Sequence, residues 1–184
     1  YIPKGSYVPV FKVLNVDNPV VKTNDVSLLK EEVSPRKATL AVFPFHNISP
    51  DDSKNYFAQG IGEQICSDLA KFQHLSVISY YSTYKAAAEK ESREIHNLFD
   101  IDYIVTGSTR FFDGMVQVNT QLALGESDTL LWSQSFLREF KPDNILALQE
   151  DLIQQIVYKI ADNDGIVTNN IAHTSSPKRK NIFG

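Results

Sequence analysis

The 184 residues are 42% hydrophobic and 22% charged, the balance of an ordinary globular domain with short flanking segments. No apolar run nears the ~20 residues of a membrane-spanning helix, and the single cysteine, Cys66, excludes an internal disulfide scaffold. The net charge of −4 is uneven: residues 39–162 carry nine Lys/Arg against seventeen Asp/Glu, so this acidic block lacks the basic face that nucleic acids require and is not expected to bind them.

In chain order, residues 1–12 alternate around Pro3-Lys4-Gly5 and Val8-Pro9-Val10. Gly5 accepts positive φ and Pro9 cannot donate to a ladder, so this stretch reads as a hairpin end or edge strand left from a truncated upstream domain. Residues 13–38 read as a linker with a short helical or extended stretch near 26–32. The central domain, 39–162, opens on LAVFPF (40–45), a buried strand by its length and apolar continuity. A polar loop, 46–54, follows.

Phe57, Ile61, Ile65, Leu69 and Phe72 then recur at spacings of three and four, which predicts a helix over 56–73 with one apolar face. Residues 75–80 read as a second strand. Ser82 or Thr83 is placed to cap a helix that runs to residue 99, with Ala88, Glu91, Ile95 and Leu98 on one stripe. Three strands follow, over 102–112, 115–124 and 129–138. Asp113-Gly114 predicts a hairpin between the first two. In the middle strand Val116, Val118, Thr120 and Leu122 point one way and Gln117, Asn119 and Gln121 the other. Trp132 and Phe136 share a face of the third. Pro142 or Asp143 opens a last helix with Ile145, Leu148, Leu152, Ile156 and Ile160 on its stripe. Residues 163–184, which include Ser-Ser-Pro-Lys-Arg-Lys, show no periodicity and read as a flexible linker.

The order β-α-β-α-β-β-β-α, with single-striped helices, predicts a two-layer α/β sandwich with a mixed sheet and the helices on one face. Phe57, Ile61, Leu69, Val105, Trp132, Leu148 and Leu152 are the expected core.

AVFPFHNISPDDSKNYFAQGIGEQI resembles the opening of TolB-like domains: a strand ending in Pro-Phe, an Asn-x-Ser loop, then Tyr-Phe-Ala and a glycine at a helix start. FDIDYIVTGSTRFFDGMVQVNTQL is similar to the later strand and hairpin of that family, and LLWSQSF with ILALQEDLIQQIV to its closing strand and helix. The turn at 125–128 departs from the family's more frequent Asp-x-x-Thr-Gly. PKGSYVPVF resembles the terminal hairpin of the winged-helix-like segment that precedes such domains in multidomain bacterial regulators. The resemblance implies tetratricopeptide repeats downstream, or in some relatives a nucleotide cyclase domain.

No constellation of residues points to catalysis, so no catalytic residue, metal ligand or cofactor is assigned. Gly60-Ile61-Gly62 could bring backbone N–H groups to a phosphate, but no Lys-Ser/Thr pair follows, and close helix packing is the competing reading. The four histidines lack ligand spacing. Asp51-Asp52 and Asp100-x-Asp102 are paired carboxylates whose default is a solvated loop. Gln117, Asn119 and Gln121, joined by Ser133 and Ser135, form a neutral hydrogen-bonding platform for a partner chain or small ligand, or else the solvent side of a half-covered sheet. His46 and Asn47 begin the loop beyond the first strand, where α/β sheets bind ligands.

The expected function is a non-enzymatic interaction or self-association module of a bacterial regulatory or signalling protein. A small-ligand sensor and a TolB-like envelope accessory protein are the alternatives. A cytoplasmic location is expected, with the periplasm as the alternative.

Overall fold

The computed structural model describes residues 36–174. The readings made for residues 1–35 and 175–184 fall outside that range.

The architecture is the expected mixed α/β sandwich, except that helices pack on both faces of the sheet and not on one, because β1 and β4 are apolar on both sides. A six-stranded sheet runs in the order β3-β1-β4-β5-β6, with the short β2 paired beside β4. The strands are β1 (Ala38–Val42), β2 (His46–Asn47), β3 (Leu75–Val77), β4 (Tyr103–Phe112), β5 (Met115–Leu124) and β6 (Leu130–Glu139). The pairs β1–β3, β1–β4 and β2–β4 are parallel, and β4–β5 and β5–β6 are antiparallel. Two long helices, α1 (Asn55–Leu69) and α4 (Ile145–Ala161), bury the apolar stripes read from the sequence: Phe57, Ile61, Ile65 and Leu69 on the first, Leu148, Leu152, Ile156 and Ile160 on the second. They meet Leu40, Val42, Val105, Val116, Val118, Leu122 and Phe136 in one core cluster. Of the expected core only Trp132 is partly exposed, packed at the margin.

The other face of β1 and β4 carries a second, smaller cluster. Ala41 and Ile104, paired in register, alternate with the core residues and so point the opposite way. They pack with Phe43, Ala86, Ile95 and Ile101. The helices that supply this layer are α2 (Tyr80–Glu89) and α3 (Ser92–Phe99). The sequence reads as one helix here. Lys90 is extended, and a reciprocal capping box between Glu91 and Glu94 starts α3 afresh. The cap of α2 is Ser79, whose Oγ accepts from the Ser82 N–H. Thr83 instead donates from Oγ1 to the Val42 carbonyl at 2.8 Å, tying α2 to the end of β1. Beyond α4 the segment read as linker is helical through α5 (Ile166–Thr174), and Val167 is fully buried in the main core. The missing periodicity reflects its shortness, since nine residues expose too little pattern to read.

One irregularity sets up the site. Val42 pairs with Val105 and His46 with Ser108, so β1 and β2 hold one residue more than β4 over the same span. Pro44 has no N–H to give a ladder, and the strand bulges there. The bulge turns Phe45 into the core against Gly107, where a Cβ would collide with the Phe45 ring. The strand resumes at β2 with its alternation reversed.

Thr109 and Thr120 are fully buried on the core face, and among the described residues their hydroxyls have no hydrogen-bond partner. Replacing an orphaned hydroxyl by a methyl of the same shape removes its desolvation cost, so Thr120→Val should raise the unfolding free energy by about 1 kcal/mol. Leu152→Ala opens a void at the centre of α4 and should lower it by about 2–5 kcal/mol. Urea unfolding monitored by circular dichroism measures both.

Candidate functional site

The β4–β5 hairpin decides which polar groups gather. Asp113 (φ 48°) and Gly114 (φ 72°) both lie in the left-handed region, the signature of a two-residue type I′ loop. Phe112 therefore faces Met115, and the register continues as Arg110–Gln117, Ser108–Asn119 and Thr106–Gln121. On the far side Gln117 faces Leu137, Asn119 faces Ser135 and Gln121 faces Ser133. All of these alternate with core residues and so share the face away from α1 and α4. Gln117 donates from Nε2 to Ser135 Oγ at 2.9 Å, and Asn119 donates from Nδ2 to Ser108 Oγ at 3.4 Å.

His46 joins this face through the bulge. Its register partner is Ser108, so His46, Ser108, Asn119 and Ser135 form one row across β2, β4, β5 and β6. The two surfaces that the sequence suggests separately, the polar platform and the loop beyond β1, are thus contiguous. Sequence reasoning missed Arg110, Phe112 and Leu137 on the same face. Arg110 lies over the Phe112 ring at 6.0 Å, and Leu137 is 51% exposed. Their signal was available: once the Asp-Gly turn is given, counting back along the hairpin assigns each of them a rung.

Asn47 points to the other side and is occupied locally. Its Nδ2 donates to the Asp51 carbonyl at 2.8 Å and to Asn55 Oδ1 at 3.0 Å, and its Oδ1 accepts from the Ser49 N–H. It fastens β2 to the start of α1. The hydrogen bonds from Ser53 hold the Asp51 carboxyl below the usual carboxylate range. Asp102 accepts from the Thr39 N–H at 2.7 Å, and both Asp100 and Asp102 lie against Arg36. Each carboxylate pair is therefore engaged in closing a loop or strand start.

Gly60 and Gly62 are not brought to a phosphate-binding position. They lie within α1, past its free first turn, so their N–H groups belong to the helix ladder. Their smallness serves packing. Gly62 makes way for Tyr80 and Phe45, and Gly60 for Gln149 of α4, whose Nε2 donates to the Phe57 carbonyl at 3.2 Å. Burial, with Glu63 nearby, pushes the Tyr80 phenol up to about 12. Burial also pushes the Cys66 thiol up, and its Sγ rests 3.3 Å from the Ile78 carbonyl. That thiol is a packing group with little thiolate to offer.

A crevice of about 360 Å³ opens beyond the carboxyl end of β1, between the loop, α1 and α2. His46, Asp52, Gln59, Tyr80 and Tyr84 line it, and Phe45 forms part of its floor. The chain order reverses here, since β1 leads to β3 on one side and the chain then returns to β4 on the other. Among the described residues no lysine or arginine lines the crevice, and Asp52 does, so this lining suits neutral or cationic groups rather than phosphates.

Among solved structures, the lipoprotein GNA1162 of Neisseria meningitidis is similar with a TM-score of 0.47 at 15% identity, over 65% of this chain and 97% of that one. TolB of Acinetobacter baumannii is similar with a TM-score of 0.43 at 16% identity, over 67% of this chain and 28% of that one. Among curated proteins, "Putative adenylate cyclase 3" of Rhizobium meliloti (strain 1021) is 32% identical over 124 residues, which are 67% of this chain and 21% of that protein. The chain therefore spans about a fifth of that relative's length. The family model of the HilA/YgeH-like transcriptional regulator, second domain, matches residues 36–158, nearly the whole described sandwich. The chain belongs to the family of the HilA/YgeH-like transcriptional regulator, second domain, and the sandwich is that domain.

Proposed function

We propose that this domain is a non-catalytic association module that connects an effector region on one side to further domains on the other within a bacterial regulator. The observation that carries the reading is the open sheet face. It sets neutral amides and hydroxyls at regular register beside the exposed Arg110, Phe112 and Leu137, and aromatic and arginine contacts are the ones protein interfaces favour. The match to a second domain of transcriptional regulators supports it. So does the relative named as a putative adenylate cyclase, which shares only 21% of its length with this chain. A domain placed beside effectors of different kinds serves neither chemistry itself; it relays between them. On this reading a winged-helix-like segment precedes the domain, tetratricopeptide repeats follow it, and the protein works in the cytoplasm.

A double Gln117→Lys, Gln121→Lys variant tests the reading. Exposed substitutions of this kind change stability by within about 0.5 kcal/mol, so the unfolding midpoint should stay in place while the output of the full-length regulator, read from a reporter gene, falls. Unchanged output would remove the sheet face from the mechanism. Sustained turnover of ATP or GTP by the purified chain would overturn the non-catalytic assignment.

The crevice beside His46 favours a second reading, a small-ligand sensor in the same regulator. A screen of neutral and cationic metabolites by thermal shift should then find one that stabilises the chain by about 2.7 kcal/mol at a hundredfold excess over Kd. The shift should vanish in Tyr84→Ala, because Tyr84 is half exposed on the crevice wall.

A further inference from the structure

We propose that the free edge of β6 pairs antiparallel with β6 of a second copy, about a two-fold axis at Gln134. This rests on the reading of the domain as an association module and gives it a partner, a second copy, and a second surface, the sheet edge beside the open face.

Among the described residues β6 ends the sheet, and its ten residues are paired on one side only. The hairpin geometry shows which backbone groups are left. A type I′ loop makes Phe112–Met115 a hydrogen-bonded pair, so alternate residues of β5, from Val116 to Leu122, direct their N–H and C=O groups toward β6. The bonds Phe140 N–H to Gly114 O and Leu124 N–H to Thr129 O follow the same alternation. Trp132, Gln134, Phe136 and Arg138 receive them. Ser133, Ser135 and Leu137 therefore point their backbone groups outward. One of these is occupied: the Leu137 carbonyl accepts from Arg138 Nη1 at 3.1 Å. Over residues 131–137 the edge has neither a proline nor a charged side chain, the two commonest guards against strand pairing.

The same seven residues specify the partner. Leu131-Trp132-Ser133-Gln134-Ser135-Phe136-Leu137 reads nearly alike in both directions: leucine at the ends, then an aromatic, then serine, about a central glutamine. A two-fold interface requires that residue i meet residue j while j meets i. Antiparallel pairing about Gln134 satisfies this at each rung. Ser133 faces Ser135, Trp132 faces Phe136, and the central amides face each other, able to donate and accept reciprocally. The serine rungs are also the ones whose backbone groups point outward, so side-chain match and ladder agree in a single register. The Leu131 rung is the least regular, because β6 has a register shift beside it.

At each end of the paired stretch Arg138 follows Leu137. Arg138 has a local partner in Asp151 at 3.3 Å, and Lys141 has one in Glu139 at 2.9 Å. Exposed pairs of this kind stabilise by under about 1 kcal/mol and can be shared. On the helix side Gln134 lines a groove of about 370 Å³ with Gln155 and Tyr158 of α4. Tyr158 is 63% exposed, and pairing the strands brings two such side chains toward the axis.

The test is the solution mass of the 184-residue chain by light scattering over a dilution series, with Gln134→Lys and Gln134→Glu variants. The wild type should show a dimer that dissociates on dilution. Each variant places two like charges at the axis and should weaken dimerisation at least tenfold, with far-UV circular dichroism and unfolding midpoint of the monomer unchanged. An equimolar mixture of the two variants should restore the dimer. A wild type that is monomeric throughout overturns the pairing, and the association reading then stands on the reporter result alone. A dimer unaffected in both variants overturns the β6 edge as the surface while upholding self-association.

Discussion

A two-residue loop between twisted antiparallel strands needs positive φ at both central positions, and Asp113 and Gly114 supply it. Gly114 does so without steric cost, and aspartate is among the side chains that best tolerate the left-handed region. This small constraint fixes far more than a turn. It sets β4 against β5 without a slip, and a slip of one residue would send Val116, Val118 and Leu122 to solvent and the amides of Gln117 and Asn119 into the core. It also fixes which backbone groups of β6 face outward. The core, the polar face and the sheet edge are three consequences of one register.

The second constraint is the bulge at Pro44-Phe45. Without the extra residue His46 would point toward α1 and Asn47 toward the open face. With it, Asn47 reaches Asn55 and Asp51 and anchors the start of α1, while His46 lines up with Ser108, Asn119 and Ser135. The bulge is stable because Phe45 has somewhere to go. Gly107 leaves the space on β4 and Gly62 leaves it on α1. The reach of two glycines on separate elements toward one phenylalanine couples the strand break to the main core.

The polar groups divide accordingly. Those in loops and at element ends are engaged locally: Asn47 of β2 on the Asp51 carbonyl, Asp51 on the Ser53 N–H, Asp102 on the Thr39 N–H of β1, Thr83 of α2 on the Val42 carbonyl. Those on the β4–β5–β6 face and at the β6 edge keep free valences. Surfaces with unspent hydrogen-bonding capacity at regular spacing are suited to recognising another polypeptide, and the fold holds them on strands, where their spacing does not drift.

The sequence by itself determined the elements whose pattern is local. The stripes of α1 and α4, the alternation of β5 and the Asp-Gly hairpin are legible because helix and strand periods act within ten to fifteen residues. The amides of the open face were legible for the same reason. The break between α2 and α3 was not, because the capping box of Glu91 and Glu94 competes with a stripe that continues across it. The glycines of α1 looked like a ligand motif, since a sequence shows that a side chain is missing but not what fills the space; Tyr80, Phe45 and Gln149 fill it from 17 to 89 positions away. Only the tertiary structure placed α2 and α3 behind the sheet, put His46 in one row with Ser108 and Asn119 and, among the described residues, left β6 at the edge. Those outcomes depend on strand order and on a one-residue bulge, and both are settled by packing between segments distant in the chain.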